Sequence, residues 1–133
     1  MKSKKITTYH NNGSVSYEAW HVNGRRHRAD GPAEIWYNEN GSVRYKAWWV
    51  DDMRHRADGP AWISYNADGS VGYEEWYVNG RRHRADGPAR ICYYADDGSV
   101  GSEEWWIDGR ELTKDEHLAW RRKRIIDAIT KED

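Results

Sequence analysis

The chain has 133 residues, room for one domain, and a formal net charge of −1, so neither charge-driven disorder nor a general pull toward nucleic acid or acidic lipid follows. Trp and Tyr occur nine times each, Phe is absent, and Leu (2), Ile (8) and Val (7) are scarce. That supply excludes a large aliphatic enzyme core and leaves Trp, Tyr, Ile and Val to build the interior, a composition suited to strands.

Residues 1–8 read as an N-terminal edge strand whose Lys2, Lys4 and Lys5 discourage pairing with other chains. They hold no apolar stretch of signal type, no apolar run approaches the ~20 residues of a membrane helix, and Cys92 has no internal partner. The expected compartment is the reducing cytoplasm. From Tyr9 onward the sequence repeats. Residues 9–36, 37–64 and 65–92 are three units of 28 residues, identical in 16 columns, with HRADGPA at 27–33, 55–61 and 83–89. A partial fourth unit, 93–112, follows one inserted residue and keeps Gly98, Val100, Trp105 and Asp108-Gly109. Where HRADGPA is due, the chain reads Leu112-Thr-Lys-Asp-Glu116, a departure expected of a terminal cap.

Each unit carries three turn signals. Asn12-Gly13 (copied at Asn40-Gly41, Asp68-Gly69 and Asp97-Gly98) and Asn23-Gly24 (copied at Asp51-Asp52, Asn79-Gly80 and Asp108-Gly109) predict primed hairpin turns with both central residues at positive φ. In Ala29-Asp-Gly-Pro32 and its copies, Pro withdraws a donor and Asp is available to nearby amides. Between these turns lie short strands, in the second unit at 43–50, 53–56 and 61–65. The expected fold is therefore all-β, a single-domain antiparallel meander of hairpins repeated in solenoid fashion. Along 43–50, Val43 and Tyr45 share one parity and Trp48 and Val50 the other, which predicts a bulge or strong twist near 46–47, or a sheet covered on both faces. The column Trp20, Trp48, Trp76 and Trp105 is the expected continuous core. Thr113 and Glu116 match a capping box, and 113–131 reads as a capping α-helix with Leu118, Ile125 and Ile129 on one stripe, covering the open edge of the last repeat.

Tyr37-Asn-Glu-Asn-Gly-Ser-Val43 and Trp76-Tyr-Val-Asn-Gly80, each followed by Asp-Gly-Pro-Ala, resemble the variant class of MORN repeats across residues 5–112. The HRxDGPA form is also similar to repeats in small proteins of phages and large DNA viruses. The resemblance implies a hairpin-repeat sheet without enzymatic activity, used for binding proteins or membranes.

The column His27, His55, His83 reads as cross-strand packing against Trp20, Trp48 and Trp76, because ligands one repeat apart do not converge on a metal. Arg28 with Asp30 reads as a pair bracing its turn. The hairpin register sets Arg26, Arg54 and Arg82 opposite His21, Trp49 and Tyr77, as cation–π pairs. Recognition can be written in columns that vary inside copied units, and Trp36, Trp49 and Trp62 with Arg44 and Lys46 gather around the second unit. The candidate binding residues are Trp36, Trp49, Trp62, Tyr77, Trp106, Arg44, Arg54 and Arg82, a set that suits a protein hot spot or a base plus phosphate. The other reading of the same set is a second apolar layer or a dimer interface. The basic run Arg121-Arg-Lys-Arg124 points all round a helix and reads as solvated charge. No nucleophile with a placed base and no calcium loop is signalled, so no catalysis, cofactor or metal is expected. The expected function is a non-catalytic binding protein, a phage-type accessory protein that binds and inhibits a host defence protein. A sequestering protein for a nucleotide signal and a structural or adaptor scaffold are the alternatives. A host protein is the expected partner and a nucleotide the next; membrane and nucleic acid are not expected, and a homo-oligomer is left open.

Overall fold

A computed structural model describes residues 3–131. In chain order the elements are β1 (Ser3–Tyr9), β2 (Val15–Val22), β3 (Arg25–Arg26), β4 (Glu34–Tyr37), β5 (Val43–Ala47), β6 (Trp49–Val50), β7 (Met53–Arg54), β8 (Trp62–Tyr65), β9 (Val71–Glu75), β10 (Tyr77–Val78), β11 (Arg81–Arg82), β12 (Arg90–Tyr93), β13 (Val100–Ile107), β14 (Arg110–Leu112) and α1 (Lys114–Thr130). β1, β2, β4, β5, β8, β9, β12 and β13 pair in that order as an antiparallel meander. The rest of each unit forms a short hairpin at the end of a meander strand: β2–β3, β6–β7, β10–β11 and β13–β14. The all-β meander with one C-terminal helix is thus the observed architecture.

The turns explain the two kinds of hairpin. Asn23 and Gly24 take φ of 53° and 77°, and Asp51 and Asp52 take 49° and 63°, as a primed two-residue turn requires. The Asn12-Gly13 series differs from expectation, because only its glycines are at positive φ (Gly13, 89°). There the Gly13 amide donates to the His10 carbonyl at 3.0 Å, and Asn12 Oδ1 accepts from the Ser14 amide at 2.9 Å. The loop is longer than two residues, so one left-handed glycine closes it and the register shifts beside it, between Thr8 and Tyr9.

The passage from meander to hairpin occurs at the repeated tryptophan. The amides of Trp20, Trp48 and Trp76 donate to the carbonyls of Ala33, Ala61 and Ala89 in the meander, while their own carbonyls accept from the amides of His27, His55 and His83 in the hairpin. In the second unit the strand therefore breaks at Trp48 rather than at 46–47. Successive hairpins also bond to each other: the Arg28 amide donates to the Trp49 carbonyl at 3.2 Å and the Asp52 amide to the Arg26 carbonyl at 3.0 Å. Arg56 with Tyr77 and Gly80 with Arg54 repeat the pattern. A ribbon of hairpins consequently runs beside the meander for its whole length.

The expected indole core is corrected by burial. Ala19, Ala33, Ala47, Ala61 and Ala89 are 0% exposed, whereas Trp20, Trp48, Trp76 and Trp105 are half-buried. Where the chain crosses from meander to ribbon the enclosed position is a methyl group in the first two units and the buried Glu75 in the third. The indoles lie outside it, under guanidinium groups: Arg28, Arg56 and Arg84 lie 3.9, 4.1 and 3.9 Å over Trp20, Trp48 and Trp76. Each arginine also donates to the proline carbonyl of its own loop, Arg28 to Pro32 at 3.2 Å, and Asp30 Oδ1 accepts from Arg28 Nε at 3.2 Å. The histidine column has its backbone opposite Trp, but its rings reach the next unit. Nδ1 of His27, His55 and His83 accepts from the turn amides of Asp51, Asn79 and Asp108 at 3.2, 3.0 and 3.1 Å.

The two ends are closed differently. On β1, Lys5 Nζ lies 2.5 Å from the Glu18 carboxylate and over the Trp20 ring, so it is engaged rather than free; Lys2 lies outside the described residues. At the other end Thr113 Oγ1 accepts from the Glu116 amide at 3.1 Å and Glu116 Oε1 from the Thr113 amide at 2.9 Å, completing the capping box. α1 docks through polar aromatic groups. His117, 1% exposed, donates from Nε2 to the Arg84 carbonyl at 2.8 Å, and Trp120 meets the His83 ring edge-on. This anchor sets the rotation of the helix, so the Leu118, Ile125 and Ile129 stripe is exposed instead of covering the sheet. Residues 100–103 of β13 stay exposed as well, and α1 closes the β13–β14 end rather than the whole edge.

Candidate functional site

The ribbon carries a ladder of alternating cations and rings. Arg26, Arg54 and Arg82 stand opposite His21, Trp49 and Tyr77 in their own hairpins. Their guanidiniums also reach the following hairpin. Arg26 lies 3.6 Å over Trp49, Arg54 lies 5.5 Å from Trp49 and 5.3 Å from Tyr77, and Arg82 lies 5.9 Å from Tyr77 and 5.0 Å from Trp106. Contacts of this kind stabilise by ~0.5–2 kcal/mol each, depending on desolvation. On the meander Tyr17, Trp36, Tyr45 and Trp62 form a ring row with successive centroids 4.3, 5.6 and 4.4 Å apart. Arg54, 4.7 Å over Trp62, joins the row to the ladder.

Seven of the eight candidate residues are thereby brought into one connected set. Arg44 is not among them. Trp36 pairs with Tyr45, so Arg44 and Lys46, one residue to either side, fall on the other face of β5. Arg44 is exposed there, and Lys46 Nζ lies 5.7 Å from the Tyr65 ring.

The three rungs of the ladder differ in charge. Asp52 Oδ1 accepts from both the Arg26 amide (2.8 Å) and Arg26 Nε (3.0 Å), and those bonds hold the Asp52 carboxyl below its ordinary range. Glu34 is a second carboxylate 3.8 Å from Arg26. Arg82 Nε lies 3.4 Å from the carboxylate of Glu75, which is 5% exposed, accepts from the Tyr77 hydroxyl and lies 3.9 Å from Arg90. Burial first, and then that bond to Glu75, pushes the Tyr77 hydroxyl up. Around Arg54 the matching positions are Gly80 for Asp52, Trp62 for Glu34 and Ala47 for Glu75. Among the described residues Arg54 makes no ion pair, and its one polar contact is from Nη1 to the Tyr77 hydroxyl at 3.4 Å.

Ala47 leaves a second group unpaired. In the fourth unit the Trp106 indole donates to Glu104 at 3.0 Å; in the second, Ala47 stands where that glutamate would be, and the buried Trp49 Nε1 has no partner among the described residues. The buried Trp36 Nε1 is likewise unpaired. An unsatisfied buried donor costs ~1–3 kcal/mol. The middle of the ladder therefore holds a guanidinium without an anion and an indole N–H without an acceptor, and the adjoining ring row holds a second such indole. The sequence signal for this is the column Ala19, Ala47, Glu75, Glu104, which carries no motif, together with Gly80, legible only as a turn residue.

Cys92 is half-buried between Tyr73 and Ser102 of the neighbouring strands. Among the described residues no group of three or more His, Cys, Asp or Glu side chains is arranged to hold a metal ion. Among the described residues no helix is long and apolar enough to cross a membrane. In comparisons with known proteins, no family model, no curated protein and no solved structure matches the chain.

Proposed function

We propose that the protein is a non-catalytic repeat binding protein that takes an acidic segment of a partner protein at the middle of its arginine ladder. The observation that carries this reading is Arg54, which lies among Trp49, Trp62 and Tyr77 without the carboxylate that closes Arg26 and Arg82. Arginine set among large aromatic side chains is the composition of protein hot spots, and a guanidinium fork pairs well with a carboxylate. A nucleotide is the second reading, with phosphate on the same guanidinium. It is disfavoured because the rings that would stack a base already lie against Arg26 and Arg54. The resemblance to phage repeats supports a host component, and through it a defence protein, as the partner inhibited.

Gly80→Asp tests this. Asp52 tolerates the matching turn position at φ 63°, and a Cβ on Gly80 would meet only Met53 at an ordinary 3.7 Å. The new carboxylate copies the Asp52–Arg26 pair onto Arg54. Immobilised wild-type protein should retain a partner from cell lysate that salt elutes, and Gly80→Asp and Arg54→Gln should lose it. Asp52→Gly, which loosens Arg26 but leaves Glu34 beside it, should keep it. Equal capture by all four proteins overturns the reading. A rise in Tm with a mono-, di- or cyclic nucleotide would transfer it to the second ligand class.

A further inference from the structure

The HRADGP loops stand in a row, and the spaces between them are filled unequally. Loops 27–31 and 55–58 flank a groove of about 830 Å3 that also contains Trp48 and Val50. Loops 55–60 and 83–86 flank a second, of about 650 Å3, with Trp76 and Val78. The third place in the row is occupied by α1, whose His117 bonds the Arg84 carbonyl and whose Trp120 lies against His83. Gly87 is consequently buried where Gly31 and Gly59 are only half-buried, and Ala85 is half-buried where Ala29 and Ala57 are exposed. The carbonyls of Arg28 and Arg56, which match Arg84, accept no hydrogen bond from the described residues.

The same helix presents an unpartnered face outward. Leu118, Ile125 and Ile129 are 41%, 60% and 65% exposed. Two strands per unit set successive grooves ~9.6 Å apart. Seven residues of α-helix advance ~10.5 Å, and seven residues separate Leu118 from Ile125. Charge matches as well as spacing. The groove rims carry Asp30 and Asp58, with side chains 87% and 90% exposed, and Arg121 and Arg122 lie between the two apolar residues of the helix. Within one chain Arg121 already contributes, after Arg84, to holding the Asp86 carboxyl below its ordinary range.

We propose that the two open grooves receive α1 of a second copy of this chain, lying along the repeats with Leu118 and Ile125 in successive grooves and Arg122 at the aspartate rim. A single helix on two grooves is a small contact. A twofold axis makes it reciprocal, so each copy's helix covers the other's grooves and the assembly closes as a dimer.

Sedimentation of the full chain from about 1 µM to about 100 µM reads the outcome directly. The wild type should pass from monomer to dimer across that range. Ile125→Glu should weaken the dimer about tenfold or more, as expected when a buried isoleucine is lost from a contact. Asp30→Lys combined with Asp58→Lys should weaken it too, and adding Arg122→Asp to that double variant should restore part of the loss. These are exposed side chains, and far-UV circular dichroism confirms that each variant is folded. A monomer throughout overturns the proposal. A dimer indifferent to the aspartate substitutions also overturns it, since the helices would then be meeting each other and not the grooves. Gly80→Asp should leave the dimer unchanged, so this result stands apart from that of partner capture.

Discussion

Arg26 and Arg54 hold the same place in consecutive units, and both guanidiniums lie over the Trp49 ring, at 3.6 and 5.5 Å. Arg26 has Asp52 and Glu34 for company; Arg54 has Gly80 and Trp62. The guanidinium thus comes from a column that is copied, and its ring partner and charge balance from columns that are not. The repeat dictates that a rung exists, and single departures from the repeat dictate whether it is closed.

The largest expected effect comes from removing what the two rungs share. Trp49→Ala strips the ring from both, and urea unfolding should show a loss of about 2–3 kcal/mol, below a full core value because the ring is half-buried. Glu75→Ala comes next. It takes the close carboxylate from the third rung, where Arg90 stands at the Trp62 position, leaving the Tyr77 hydroxyl without its acceptor and Arg82 without its ion pair, at a cost of about 1–2 kcal/mol by the same measurement. That variant should also gain a second open guanidinium, read as stronger capture of the acidic partner.

Acid separates the rungs further. Asp52 is depressed by the bonds from Arg26, Glu18 by Lys5 and then Tyr37, Asp86 by Arg84, and Glu104 by the Trp106 and Arg90 bonds that outweigh its burial. Depressed carboxyls contribute stability that is present above their unfolded values, 3.8 for Asp and 4.5 for Glu, and lost as pH falls below them. Tm should therefore drop below about pH 4. Arg26→Ala should shallow that drop, whereas Arg54→Ala should leave its shape unchanged. At the alkaline end burial and the bonds to Glu18 and Glu74 push Tyr37 and Tyr93 up to about 12. Their contribution is whole below 10.0 and lost as pH rises from there toward 12, which phenolate absorbance follows. The smallest expected change is that of Gly80→Asp on stability, within about 1 kcal/mol, because an exposed ion pair offsets the left-handed strain. A larger loss would mean that the turn, and not Arg54, is what that substitution reports.

The sequence was most legible where structure is local. Asx-Gly turns, the Thr113–Glu116 box and the repeat itself are short-range signals, and they gave the meander, the hairpins and α1. Longer-range geometry was not visible. Parity along 43–50 announced a break but not that Trp48 shares its hydrogen bonds between meander and ribbon. Side-chain alternation put Arg44 on the far face, although its nearness in sequence to Tyr45 suggested one patch. The histidine rings reach into the next unit, a direction that a within-unit register does not contain. On α1, apolar periodicity marked the wrong docking face, because two polar aromatics, His117 and Trp120, make the anchor. The open rung was written in the Ala47 and Gly80 positions, where the signal is a missing carboxylate.

The bonds from Asp51 to His27 and from Arg28 to Trp49 reappear one unit later, from Asn79 to His55 and from Arg56 to Tyr77. A chain from which residues 37–64 were excised would present His27 and Arg28 with Asn79 and Tyr77, partners of the same kind at the same places. The molecule is in that sense modular in steps of 28 residues, and gene duplication or loss of one step would lengthen or shorten its surface while both termini kept their closures.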